Sequence, residues 1–173
     1  LLKALSFMKN EKLKNKDLAK KSIFLERNVM FENVGFQDQI AAAYGGFNNI
    51  RLSKNTFKVR KIKCSKKFIE NLNENLLLVY TGKARTAEKI VKTFVDKLSK
   101  DKKQNIQRIL KNVDQAKKII RSNNIDDFGY LLNETWLQKR ELSKNVTNNK
   151  IDHIYEKGIK SGALGGKLLG AGG

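Results

Sequence analysis

Apolar residues recur along this chain with two periods, and the places where the period changes divide it into elements. Leu1–Met8 has the pattern of a helix tail. Between Asp17 and Met30, Leu18, Ile23, Leu25 and Val29 fall at helical spacing, with Ser22 and Glu26 one turn apart. Asn33 and Gly35 interrupt that pattern with loop chemistry. Asp38 then opens a short alanine-rich helix, Gln39–Tyr44, which Gly45 and Gly46 close. From Phe47 to Cys64 the period shortens to two: Ile50 and Leu52 alternate with polar neighbours, as do Phe57 and Val59, across a turn at Ser53–Asn55. This predicts a β-hairpin, and the slip of phase between Val59 and Ile62 predicts a bulge in it. A polar stretch follows, then Leu76–Tyr80, a continuous apolar run that predicts a buried strand. Helical spacing returns at Ile90–Leu98, Ile106–Ile120, Phe128–Leu142 and Ile151–Tyr155, ahead of a glycine-rich segment, Gly162–Gly173. The fold class expected is mixed, α/β and α+β, with a boundary near Asn71–Asn75 that separates residues 1–72 from residues 73–173.

Composition changes this picture little. Apolar residues make up 40% of the chain and charged residues 31%, enough to fold around a real core. No apolar run approaches membrane-spanning length, no secretory leader pattern is present, and the single Cys64 cannot form an internal disulfide. A soluble, cytoplasmic protein without a membrane partner is the expectation, and its oligomeric state stays open.

The net charge of +19 raises the question of nucleic acid. Its carriers are 29 lysines and 7 arginines, scattered along the whole chain. Base and phosphate recognition leans on the planar fork of arginine, gathered into one arm or stripe. A solvated lysine-rich surface is therefore expected and no nucleic-acid partner, with a basic nucleic-acid-binding protein as the alternative from a different class. His153 is the only histidine and has no Cys, Asp or Glu at ligand spacing, which argues against zinc. Trp136 and Tyr155 sit at core positions of helical patterns.

Three clusters carry possible chemistry. The first is Gly35-Phe36-Gln37-Asp38-Gln39 with Gly45-Gly46 downstream. An acid at a helix start is stabilised by the free backbone N–H groups there, so a plain N-cap would also account for Asp38. The second is Gly165-Gly166-Lys167-Leu168-Leu169-Gly170-Ala171-Gly172-Gly173. Such a run can turn successive N–H groups toward phosphate, or serve as a hinge; it fits neither the Walker A nor the Rossmann pattern. The third is Tyr80-Thr81-Gly82-Lys83-Ala84-Arg85-Thr86, where Arg85 could grip a phosphate with two N–H groups and Thr86 could equally cap a helix.

Taken in order, these segments resemble the GHMP kinases, the superfamily of galactokinase, homoserine kinase and mevalonate kinase. The resemblance runs from Glu26-Arg27, through Gly35–Asn48, Tyr80-Thr81-Gly82 and Arg85, and Asp126–Trp136, to Gly162–Gly173. It is nearest to those members that act on D-glycero-D-manno-heptose 7-phosphate. The resemblance implies an ATP-dependent kinase that phosphorylates a sugar phosphate at its anomeric hydroxyl, with another sugar of the superfamily's range as the alternative. It makes Asp38 the catalytic carboxylate and Glu26 the Mg²⁺ ligand. It assigns Gln37, Gln39, Gly45, Gly46, Thr81, Gly82 and Arg85 to the substrate, and Gly170, Ala171, Gly172 and Gly173 to the nucleotide. It also implies the C-terminal part of a ribosomal-protein-S5-like N-domain in residues 1–72 and most of an α+β C-domain in residues 73–173. The superfamily's main ATP-binding loop, Pro-x-x-x-Gly-Leu-Gly-Ser-Ser in type, is absent from the 173 residues. They therefore read as a piece cut short at both ends, expected to expose apolar surface and to show little kinase activity alone.

Overall fold

The computed structural model describes residues 1–32, 34–53, 56–82, 103–142 and 146–170. The expected helix over Ile90–Leu98 lies outside the described residues. Two compact units divide the chain, Leu1–Lys63 and Cys64–Gly173.

In the first unit, α1 (Leu2–Met8) and α2 (Asn15–Phe24) precede one π-helical turn, Leu25–Val29. There the Met30 N–H donates to the Leu25 carbonyl five residues back, at 2.8 Å. α3 (Gln37–Tyr44) leads into an antiparallel hairpin of β1 (Asn48–Ser53) and β2 (Thr56–Lys61). Gly45 and Gly46 make the corner with φ of 63° and 71°, a region that glycine enters without strain. The side chain of Asn48 ties the corner down, donating to the Gly45 carbonyl at 2.8 Å and to that of Gly46 at 3.2 Å.

The hairpin register pairs Ile50 with Val59 and Leu52 with Phe57, and it continues past the strand ends, where the Ile62 N–H donates to the Phe47 carbonyl. The expected bulge is therefore absent from the paired residues. The apparent slip arises because Ile62 lies beyond β2, while exposed Lys61 holds the position that alternation leaves for it. Ala19 of α2, Ile40 of α3 and Phe57 of β2 form the buried centre, with Ile23, Phe36, Ala43, Tyr44, Ile50 and Val59 packed around it. Tyr44 meets Phe57 edge-on, with ring centres 6.4 Å apart. Burial of a side chain such as Ile40 or Phe57 contributes about 1.5–3 kcal/mol.

The second unit, among the described residues, is helical: α4 (Lys66–Asn75), α5 (Lys103–Ser122), α6 (Ile125–Leu142) and α7 (Asn149–Lys160). Side-chain oxygens start three of these helices. Ser65 Oγ accepts from the Phe68 N–H, Asn124 Oδ1 from that of Asp127, and Asn148 Oδ1 from those of Lys150 and Ile151. α5 and α6 are joined by a buried amide pair, Asn112 Nδ2 donating to Gln138 Oε1 at 2.9 Å and also to Thr135 Oγ1. Trp136, Val146 and Ile151 form a core with Tyr155 and Leu168 against it, as expected for Trp136 and Tyr155.

Two expectations change here. Sequence reading passes over α4 as a polar stretch. Yet Phe68 and Leu72 of α4 are buried, and Phe68 stacks edge-on against Phe128 of α6 at 6.2 Å, so α4 belongs to the compact unit Cys64–Gly173. The run Leu76–Tyr80 starts extended but joins no ladder among the described residues, and its side chains are 50% to 83% exposed. It is not a buried strand. An apolar run becomes one only when neighbouring backbone satisfies its N–H and C=O groups, and the single described sheet is the two-stranded hairpin.

Candidate functional site

Two elements of the first unit bring acidic and amide side chains together. The π-helical turn carries Glu26 and Arg27, and α3 carries Gln37, Asp38 and Gln39 in its first turn. A π-helical turn inserts one residue into a helical circuit and re-aims the side chains on it, which is why such turns gather at functional sites. Here it joins the two elements twice. The Gln39 side-chain amide donates to the Glu26 carboxylate, and the Arg27 guanidinium lies 4.8 Å from the centre of the Phe36 ring, just before α3. The other oxygen of the half-buried Glu26 carboxylate accepts from Ser22 Oγ at 3.4 Å, the limit of a useful bond.

Asp38 is exposed and has no hydrogen bond or ion pair among the described residues. The start of α3 has no side-chain cap, so Asp38 is not an N-cap. It stands inside the first turn with its carboxylate free. Gln37 is likewise exposed, whereas Gln39 is only 7% exposed and faces inward, with Oε1 buried and unpartnered. Among the described residues no three His, Cys, Asp or Glu side chains gather as a metal site. A lone carboxylate of this kind is a ligand that Mg²⁺ accepts together with phosphate and water oxygens.

In the second unit the glycine-rich segment packs on α6 at contact distance. A Cβ on Gly165 would lie 2.1 Å from the Gly129 carbonyl oxygen, and one on Gly129 would lie 2.8 Å from the Leu164 side chain. Both glycines are needed because no side chain fits between the two backbones. Farther on, Lys139 Nζ of α6 donates to the Gly170 carbonyl at 2.6 Å and to that of Leu168 at 3.3 Å. Burial, and then the charge of Lys167, lower the Lys139 pKa to about 8; burial lowers that of Lys167 as well. Gly170 has φ of 75°, a turn that favours glycine. Ala171, Gly172 and Gly173 lie outside the described residues, as does Arg85.

Thr81 is half-buried and Gly82 exposed, with φ of 75°. A Cβ on Gly82 would come within 2.8 Å of Lys150 Nζ, so an ammonium group stands beside this loop. None of Lys150, Lys139 and the bond from Gln39 to Glu26 is legible in the sequence. Each depends on contacts between elements rather than on local spacing.

No family model matches the chain. Two characterised proteins align along nearly all of it. The D-glycero-alpha-D-manno-heptose 7-phosphate kinase of Campylobacter jejuni is 29% identical over 178 residues, covering 99% of this chain and 51% of its own length. The bifunctional fucokinase/GDP-fucose pyrophosphorylase of Arabidopsis thaliana is 27% identical over 182 residues, covering 100% of this chain and 17% of that protein. The chain thus spans about half the length of the first relative and less of the second. Among solved structures, the L. major mevalonate kinase in complex with R-mevalonate shares the fold, with a TM-score of 0.71 at 22% identity over 98% of this chain and 50% of that one.

Proposed function

We propose that this chain, a member of the GHMP kinase superfamily, carries the phosphoryl-acceptor side of an ATP-dependent kinase that phosphorylates a sugar phosphate. The proposed substrate is D-glycero-D-manno-heptose 7-phosphate, at its anomeric hydroxyl; another sugar of the superfamily's range is the alternative. Residues 1–72 would supply the end of the N-domain, and residues 73–173 a part of the C-domain.

The observation that supports this reading is the state of Asp38. In a chain with 36 basic and 17 acidic residues, it stands exposed at a helix start with no cation on it among the described residues. A free carboxylate so placed can accept the hydrogen of a substrate hydroxyl as the oxygen bonds to the γ-phosphorus and ADP departs. Glu26 would hold Mg²⁺, which neutralises charge on the phosphate oxygens when bound. Gln37, Gly45, Gly46, Thr81, Gly82 and Arg85 would face the sugar phosphate, and Gly170 through Gly173 the nucleotide. The two sugar kinases among the relatives support a sugar acceptor, and the choice of heptose rests on the first of them.

The test is ADP release by the full-length gene product with Mg-ATP and a panel of sugars and sugar phosphates. Asp38→Asn should lower kcat by about 10²- to 10⁴-fold while leaving the melting temperature in place. Release with the seven-carbon sugar phosphate alone fixes the substrate, and release with a different sugar discards the heptose. Undiminished turnover in the folded Asp38→Asn protein overturns the role of Asp38.

A further inference from the structure

We infer that Gln39 is a positioning residue for the Glu26 carboxylate rather than a substrate contact, an inference that rests on the proposed role of Glu26. Three observations carry it. Gln39 is more than nine-tenths buried, so it presents little surface to a substrate. Its side-chain amide donates to Glu26 across thirteen residues, linking α3 to the π-helical turn. Its remaining polar atom, Oε1, is buried without a hydrogen-bond partner, so it is an acceptor held ready beside the carboxylate.

A carboxylate on an exposed turn samples several rotamers, and a cation that relies on one protein ligand gains little from it unless the rotamer is fixed beforehand. Ser22 at 3.4 Å is too distant to fix it alone. Gln39 is buried and precedes Ile40, which is completely buried where α3 packs on α2 and β2. It transmits that rigidity to Glu26. Groups that orient a metal ligand in this way typically contribute 10- to 100-fold in metal affinity. Asp38 and Gln39 are neighbours in the same helical turn, so one element aims the free carboxylate and steadies the second.

The decisive variant is Gln39→Met, which fills the same volume and removes the donor together with the unpartnered Oε1. The lost bond is offset by removal of the buried orphan Oε1, and the half-buried Glu26 carboxylate can take water in its place, so stability changes little. The readout is binding of Mn²⁺–ADP to the full-length protein, followed by water-proton relaxation without turnover. Gln39→Met is expected to weaken that binding about tenfold or more, with an unchanged melting temperature. Glu26→Gln is expected to weaken it at least as much, and Gln39→Met in the Glu26→Gln background to add nothing. Loss in Glu26→Gln with full binding in Gln39→Met overturns this inference and leaves the kinase reading intact. Full binding in Glu26→Gln removes the metal role of Glu26 and this inference with it. Gln39→Leu serves as a second filled variant; if neither folds, Gln39 is a structural residue and the inference is wrong.

Discussion

The glycines of the second unit show how one atom decides between opposite outcomes. Gly165 lies so close to α6 that a Cβ would meet the Gly129 carbonyl oxygen at 2.1 Å and the Asn133 backbone nitrogen at 2.8 Å. These are backbone atoms, and they can yield only if the whole segment lifts off the helix. Overpacking of this kind costs about 1–3 kcal/mol. Gly158, inside α7, has open space around the position of its missing Cβ and a φ that any residue adopts. There alanine limits the unfolded chain and should add about 0.5–1 kcal/mol. Gly165→Ala is thus expected to lower the melting temperature by about 3–10 °C and Gly158→Ala to raise it by about 2–4 °C. Calorimetry on the two variants tests the contact directly, and a Gly165→Ala protein that melts with the wild type would remove it. The same locality explains what was readable at this scale. Asp38 was legible because a helix start is set by its own few residues. The bond from Gln39 to Glu26 was not, because it needs a π-helical turn to swing Glu26 toward a residue thirteen positions away.

Elements were legible where one face of the chain had to be buried. The hairpin followed from alternation alone, since a one-residue slip would turn Phe57 and Val59 into solvent. Leu76–Tyr80 misled because hydrophobicity records that a segment can be buried but not which backbone will pair with it. α4 was missed because only Phe68 and Leu72 of its ten residues are buried, too sparse a stripe to notice among charged neighbours. At this scale the clamp between α6 and the glycine-rich segment makes a prediction about pH. Burial and the neighbouring Lys167 bring the Lys139 pKa in the folded protein down from 10.5 to about 8. Between those two values the unfolded chain binds the extra proton and the folded one does not, so stability rises with pH through this window. Below pH 8 the folded state bears the full cost of the desolvated ammonium. Lys139→Gln keeps a donor for the Gly170 carbonyl and removes that titration. Its melting temperature should therefore climb less between pH 7.5 and pH 10 than that of the wild type. Parallel pH profiles for the two proteins would show that the desolvation is not real.

The net charge of +19 belongs to no one element, and its effect has to be argued for the molecule as a whole. The described ion pairs consume little of it. Lys66 with Glu70 and Arg108 with Glu141 are exposed pairs of the kind that contribute well under 1 kcal/mol, while Lys117 with Asp114 at 2.6 Å, and Arg140 with Asp152 at 3.1 Å beside the Trp136 ring, are partly shielded. Most of the lysines therefore face water with mobile counterions. Such a surface attracts any polyanion at low salt, when the Debye length is long, and loses it when the screening length falls to about 8 Å at physiological ionic strength. A dedicated nucleic-acid site differs in kind, because it aligns several cations with successive phosphates and releases their counterions together. The two cases separate in a fluorescence-anisotropy titration of a labelled single-stranded oligonucleotide at rising salt. Here binding should be detectable at about 20 mM salt, equal for heparin and for unrelated sequences, and gone by about 150 mM. Submicromolar affinity that persists at about 150 mM, with a slope reporting some six or more phosphate contacts, would place nucleic acid ahead of the sugar phosphate as the partner of this surface.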